Sequence, residues 1–218
     1  MNGPFLPIGF ALVAYLLGAI PNGLLIGRIN GVDIRQVGSG NIGATNVFRS
    51  LGKGWGILTF VLDALKGWIP AFVFPLLLAR LTGQPVNRDF GIFFGVAAIA
   101  GHNWPVYLGF KGGKGVATSA GVLIGIAPAA VLVGALCWGV VCAVSRYVSL
   151  ASIAAAIAVP IAGWILYLPQ RGPLLPGVLT VLGAVIIIRH RANIQRLRAG
   201  TENRFGRKKE QKDTAHVG

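Results

Sequence analysis

Charge is scarce in this chain of 218 residues: Asp, Glu, Lys and Arg together make up 12% of it. Soluble domains carry roughly a quarter of their residues as charges. At half that fraction, with 54% hydrophobic residues and a mean hydropathy of +0.69, a water-exposed surface cannot be built. Acidic side chains are scarcer still, six against 20 Lys and Arg, for a formal net charge of +14. Nucleic-acid binders reach such a balance with polar, basic surfaces. Here the surplus sits in an apolar chain, which excludes nucleic acid as the partner. Cysteine is limited to Cys137 and Cys142, too few for a disulfide framework. Spaced five apart within an apolar run, they fall on different helix faces and read as small hydrophobes. A soluble enzyme, a disordered tail protein and a secreted disulfide scaffold are excluded. The composition is that of a polytopic membrane protein.

Apolar runs are what the chain has in abundance. A spanning helix needs about 20 apolar residues, and residues 5–27, 56–79, 90–109, 148–168 and 173–188 read as spans. The first has no Lys or Arg before it and no small-residue cleavage pattern after it, so it is expected to be a membrane helix and not a cleaved signal. The run 116–145 is too long for one ordinary span and contains Pro128. Proline in a helix interior removes a backbone bond and clashes with the preceding turn. Either this run is one kinked span, giving six helices, or a short helix and a full one, giving seven. With seven helices and the N-terminus outside, 16 Lys and Arg fall inside against three outside, with Lys66 in a helix; six helices give at best 12 against seven. The positive-inside rule selects seven transmembrane helices, the fourth short, with the C-terminus cytoplasmic. The expected architecture is an all-α bundle, a single domain over 1–206 followed by a polar, frayed tail over 207–218.

Under that count three polar segments share the cytoplasmic face. In the first, Gly38, Gly40 and Gly43 permit a backbone nest of converging N–H groups. Ser39, Asn41, Thr45 and Asn46 add neutral donors, and Arg49 adds a forked cation suited to phosphate. In the second, Lys111 and Lys114 bracket Gly112 and Gly113, with Gly115 after them: glycines for close backbone approach, lysines for point charge. The spacing is not that of a P-loop, and no acidic segment offers a metal site for a nucleotide. His102, upstream, reads as a packing or hydrogen-bonding residue. In the third, the last span is expected to continue as helix beyond the membrane, placing His190, Asn193 and Leu197 on one face. Gly200 reads as its C-cap. A basic helix gripping anionic lipid would account for Arg191, Arg196 and Arg198, but not for a histidine and an asparagine sharing a face.

Within the second span, Asp63 and Lys66 are three apart, and Lys66 lies about 15 Å along the helix from Gly56. Ionisable residues at such depth are functional or paired; a mutual ion pair orienting the bundle and direct substrate contact both remain open. No Asp, Glu, His and Cys cluster supplies a metal ligand set, and nothing in the sequence calls for a cofactor. The residues point to a membrane-embedded site for phosphorylated substrates. A transporter or channel for a phosphorylated solute is the rival. It fits less well, because the segments lie on one face and not at midplane, and no inverted repeat is visible.

The strings GSGNIGATNVFR (38–49), GHNWP with FKGGKG (101–115) and RHRANIQRLRAGTE (189–202) resemble the three signature segments of the bacterial membrane-integral acyl-phosphate–glycerol-3-phosphate acyltransferases. DALKG (63–67) also looks like a family element. The resemblance runs the length of the chain, in the family's order. It implies an inner-membrane enzyme of phospholipid biosynthesis. Such an enzyme makes 1-acyl-glycerol 3-phosphate from acyl phosphate and glycerol 3-phosphate, with an acyl-phosphate-forming enzyme as its functional neighbour. By the same resemblance, Ser39, Arg49, Lys114, His190 and Asn193 surround the reacting groups and the glycines with Asn41 form a backbone cradle. Glu202 buttresses the third segment against an arginine. The His-x-x-x-x-Asp motif of the soluble acyltransferases is absent: the fifth residue after His102 is Tyr107, and after His190 it is Gln195.

Overall fold

The computed structural model describes residues 5–205, so the expected tail over 207–218 lies outside the described residues. Among these residues there is no strand. The helices are α1 (Phe5–Ala19), α2 (Asn22–Ile29), α3 (Ala44–Leu51), α4 (Lys53–Trp68), α5 (Phe74–Thr82), α6 (Asp89–Asn103), α7 (Val116–Ile126), α8 (Pro128–Ser145), α9 (Val148–Arg171), α10 (Leu174–Arg189) and α11 (Arg191–Arg198).

Prolines set two of the breaks. Pro21 has no N–H and divides the first apolar run into α1 and α2. The Ile20 carbonyl, left outside the helical ladder, accepts the Asn22 N–H at 3.1 Å and Lys66 Nζ at 2.7 Å. Pro70 does not break its helix: Ile69–Val73 winds as a π segment joining α4 to α5, the extra residue per turn bypassing the missing donor. Before Pro128, Ala127 is pushed out of the helical region, to φ −147 and ψ 58, which separates α7 from α8.

Among the described residues four helices are long and apolar enough to cross a membrane, namely Phe5–Ile29, Lys53–Thr82, Pro128–Ser145 and Val148–Arg171, and the pair α10–α11 makes a fifth if taken together. At 15 and 11 residues, α6 and α7 are shorter than a full crossing. α8 leaves large apolar side chains uncovered, with Leu136 63% and Val144 83% exposed, as a lipid-facing helix does. Helix does resume beyond the last span, as expected, but not in line with it. α10 ends at Arg189 and α11 turns away by 56°, with His190 at the corner, its N–H bonded back to Ile186 and Ile187.

Two packings position the polar end of the bundle. α4 and α7 meet backbone to backbone: a Cβ on Gly121 would overlap the Ala64 carbonyl, and one on Gly67 the Thr118 carbonyl. Small residues allow this approach where no hydrophobic force acts between helices in lipid. α9 lies between α8 and α10 as a second group. A shared core of Ala71, Ile92, Val122, Leu123, Ala130, Leu175 and Leu179 joins the two groups.

Candidate active site

The first segment folds around one side chain. Gly38 and Gly40 take positive φ, 62° and 69°, which turns residues 38–43 back over α3. Asn46, 2% exposed, accepts the Ser39 N–H at 2.8 Å and donates to the carbonyls of Ile34 at 2.9 Å and Val37 at 3.1 Å. Asn41 accepts the Gly43 N–H at 2.9 Å, and Val37 accepts that of Gly40 at 3.0 Å. This corrects the expectation of a free N–H nest. The amides of Ser39, Gly40 and Gly43 are spent inside the loop, and Asn46 is its internal tie, not a donor to a ligand. What the loop presents instead is the start of α3, which has no side-chain cap.

The second segment is held from two sides. Gly113 N–H donates to the His102 carbonyl at 3.1 Å, and Arg189 Nη2 donates to the carbonyls of Gly112 and Gly113, both at 2.7 Å. The guanidinium also lies 5.9 Å from the centre of the Trp104 ring. Gly112 and Gly113 therefore face a buried histidine and an arginine, and neither lines the cleft described below. Lys111 points to solvent and also stands outside the cleft. Lys114 turns inward and donates to Asn193 Oδ1.

The third segment centres on Glu202, 7% exposed. Its Oε1 accepts from Asn193 Nδ2 at 2.8 Å and Ser149 Oγ at 2.9 Å, and its Oε2 from Arg196 Nε at 2.7 Å. Burial opposes ionisation, but these three hydrogen bonds outweigh it and hold the carboxyl below its usual range. His190 is buried, with Nδ1 2.8 Å from the Ile186 carbonyl. A carbonyl can only accept, so Nδ1 carries the proton and Nε2 is a lone-pair acceptor in the neutral ring.

These pieces enclose a cleft of about 150 Å³, lined by Ser39, Arg49, Lys114, His190 and Asn193 together with Asn41, Gly43, Thr45, Asn46, Gly115, Asp63, His102 and Glu202. The first turns of α3, α7 and α9 also line it, through Ala44 and Thr45, Val116 and Ala117, and Val148 and Ser149. None of the three helices has a side-chain cap. Three positive helix ends thus meet two cations around one small space, an arrangement for anions. Burial pushes the Lys114 ammonium down to about 8, helped by Arg196, Arg49 and Arg189 and opposed by Glu202. Desolvation also lowers Arg49, which reaches the Asn203 carbonyl at 3.2 Å. The carboxylates are already answered: Glu202 by Arg196, and Asp63 by Lys66 at 2.9 Å and Asn22 at 3.0 Å. Lys66 itself is outside the cleft. Among the described residues no group of His, Cys, Asp and Glu could hold a metal.

The cleft opens into an apolar groove of about 430 Å³ between α4 and the α8–α10 group, and Phe60, Val116, Trp138, Val148 and Ser152 line both. Sequence reasoning missed Ser149 and Ser152, which bring hydroxyls to the cleft, and Trp138, whose Nε1 donates to Ser152 Oγ at 3.2 Å. The available signal was a pair of serines in the first turn and a half of a span, on the side holding the other polar segments.

Known proteins place this geometry. The sequence profile described as glycerol-3-phosphate acyltransferase matches residues 8–200. The curated glycerol-3-phosphate acyltransferases of Geobacter sulfurreducens and Geobacter metallireducens are 50% and 54% identical over 194 and 193 residues, covering 88% of this chain and 94% of each relative. That of Aquifex aeolicus is 45% identical over 200 residues, covering 89% and 96%. Among solved structures, PlsY (YgiH), described as an integral membrane glycerol 3-phosphate acyltransferase, superposes with TM-scores of 0.81 in its glycerol 3-phosphate form and 0.78 in its lysophosphatidic acid form. Identity is 44% in both, over 92% of this chain and 96% and 95% of the other. This chain is a multi-span integral membrane acyltransferase, and it belongs to the glycerol-3-phosphate acyltransferase family.

Proposed function

We propose that the chain transfers an acyl group from acyl phosphate to the sn-1 hydroxyl of glycerol 3-phosphate. The products are 1-acyl-sn-glycerol 3-phosphate and inorganic phosphate, in the first acylation of phospholipid biosynthesis. The observation that carries this reading is one continuous space with two chemistries, a cationic cleft opening into an apolar groove. The PlsY forms with glycerol 3-phosphate and lysophosphatidic acid support the acceptor and the product. A solute transporter has no use for the groove.

The acyl tail lies in the groove, where Val148 to Pro160 of α9 span about 18 Å. An extended chain advancing about 1.25 Å per carbon, from a C–C bond near 1.5 Å, fits some 14 carbons there. Moving the tail from lipid to groove gains little free energy, because both are apolar. The groove orients the tail, and the cleft supplies the binding. Arg49, Lys114 and the starts of α3, α7 and α9 hold the two phosphates together against their repulsion. Ser39, Asn193 and His190 surround the glycerol. Acyl phosphate is a mixed anhydride and already activated, so the hydroxyl oxygen attacks the acyl carbon directly and the C–O bond to phosphate breaks. Holding the pair about 3–3.5 Å apart is the main contribution of the protein. The hydroxyl proton passes to the departing phosphate, which leaves as hydrogen phosphate.

The membrane placement that goes with this reading is seven crossings, α6 and α7 being short ones. The N-terminus is outside and the cleft lies at the cytoplasmic face of the inner membrane. The test is a donor assay on purified protein given palmitoyl phosphate or palmitoyl-CoA with glycerol 3-phosphate. Product from the phosphate alone supports the reading; equal use of the thioester refutes it.

A further inference from the structure

His102 lies in the last turn of α6 beneath the glycine–lysine loop, and 5% of it is exposed. It holds the loop twice. Its carbonyl accepts the Gly113 N–H at 3.1 Å, and its ring fills the space a side chain on Gly113 would need, since a Cβ there would overlap Nε2. Gly113 does not take a positive φ, so glycine serves the ring at this position and not the turn. On the ring's other side, Nδ1 lies 3.9 Å from Asp63 Oδ1 and has no hydrogen-bond partner. Asp63 is fixed in turn by Lys66 and Asn22, and Lys66 is tied to the Ile20 carbonyl. An ion pair that only clamped α4 to α1 and α2 has no need of a histidine beside it. Here the same carboxylate oxygen that takes Lys66 and Asn22 also faces the ring, and the ring's far edge supports the residue preceding Lys114.

We propose that His102, buried beside Asp63, is a positioning residue that sets the height of the 112–114 loop and so the place of Lys114 Nζ in the cleft. The buried ion pair thereby serves the site as well as the bundle. The ring points its Nδ1 side to the carboxylate and its Nε2 edge to the loop. Loss of the ring lets the loop sink toward α6 and draws Lys114 away from Asn193.

The inference rests on reading Lys114 as a phosphate ligand, so Lys114→Met is measured alongside. Purified His102→Ala, Gly113→Ala and the double variant are compared by kcat and KM for glycerol 3-phosphate across the neutral and alkaline range. Each single variant is expected to lower kcat/KM by about 10²-fold, the cost of a misplacement near 1 Å. The double variant is expected to lose no more than the worse single, because removing the ring removes the collision. With the Lys114 ammonium brought down to about 8, a wild-type alkaline limb is expected near that pH, and it is expected to move up in His102→Ala as the ammonium gains water. Glu202, Arg196, Arg49, Arg189 and His190, the charged and titratable groups around it, are the same in every variant. His102→Gln, whose amide reaches near the Nε2 position, is expected to restore much of the activity. Additive losses with an unmoved limb overturn the inference and leave His102 as packing. Should His102→Ala not fold, Gly113→Ala decides alone: wild-type kcat/KM with an unmoved limb overturns the proposal. Full activity of Lys114→Met overturns the underlying phosphate reading instead.

Discussion

Replacing Lys114 by methionine removes one charge and keeps most of the side chain's volume. In the structure the ammonium is half-buried and tied to Asn193, and it shares the cleft with Arg49. Removing one preorganised donor from a developing charge costs about 3 kcal/mol, or 10²–10³ in kcat, and that loss is expected here. Stability moves much less: Asn193 Oδ1 loses a partner worth about 1 kcal/mol, while the cost of burying an ammonium disappears. The pH profile supplies an independent sign. Burial, with Arg196, Arg49 and Arg189, brings the ammonium down to about 8 against the pull of Glu202, so the charged form is lost as pH rises through 8. In the free enzyme kcat/KM then falls about tenfold per pH unit above that point. Bound phosphate favours the charged form, which displaces the limb in kcat upward. Lys114→Met is expected to show the low activity without the limb. Steady-state kinetics on protein of matched melting temperature is the assay. More than a third of wild-type kcat/KM, or an unmoved limb near 8, refutes the assignment.

Other substitutions address the remaining parts of the site. His190→Gln is expected to lower kcat by only tens-fold if the donor's phosphate takes the proton, as proposed; near-complete loss in a folded protein makes His190 the base. Glu202→Gln breaks a buried charge-assisted set and is expected to cost about 3 kcal/mol of stability at neutral pH. The Glu202 carboxyl is depressed below 4.5, so its contribution is present above that value and lost as pH falls through the folded one. The gap in melting temperature to wild type should therefore close in acid. The same variant removes the group that holds Lys114 up and is expected to move the alkaline limb to lower pH. Ala135→Trp places a large ring in the groove and is expected to shift the ratio of kcat/KM for palmitoyl over decanoyl phosphate down by tenfold or more; an unchanged ratio places the tail elsewhere.

The all-helical membrane fold was legible because composition and run length report directly on solvent. Pro128 marks the α7–α8 break since a missing N–H and a steric clash are local facts. The bend at His190 was not legible: residues 189–198 keep helical periodicity, which carries no information on the 56° change of direction between α10 and α11. At the site, the five side chains Ser39, Arg49, Lys114, His190 and Asn193 line one cleft; residue type suggested their donors and charges, and the family resemblance grouped them. Which donors are free was not. Asn46 and the amides of Ser39, Gly40 and Gly43 look like ligand donors in the sequence and are consumed within their own loop. Lys111 and Lys114 look equivalent in the sequence, yet only Lys114 faces the cleft. The convergence of three uncapped helix starts depends on tertiary packing that spacing does not encode.

The central claim is direct transfer between two anionic substrates held in one cleft, without an acyl-enzyme. Rapid mixing of the enzyme with labelled palmitoyl phosphate, before glycerol 3-phosphate is added, tests it most directly. The account predicts no phosphate release and no labelled protein until the acceptor arrives, then one phosphate for each acylated glycerol phosphate. A burst of phosphate equal to the enzyme concentration, with label bound to the protein, would contradict it.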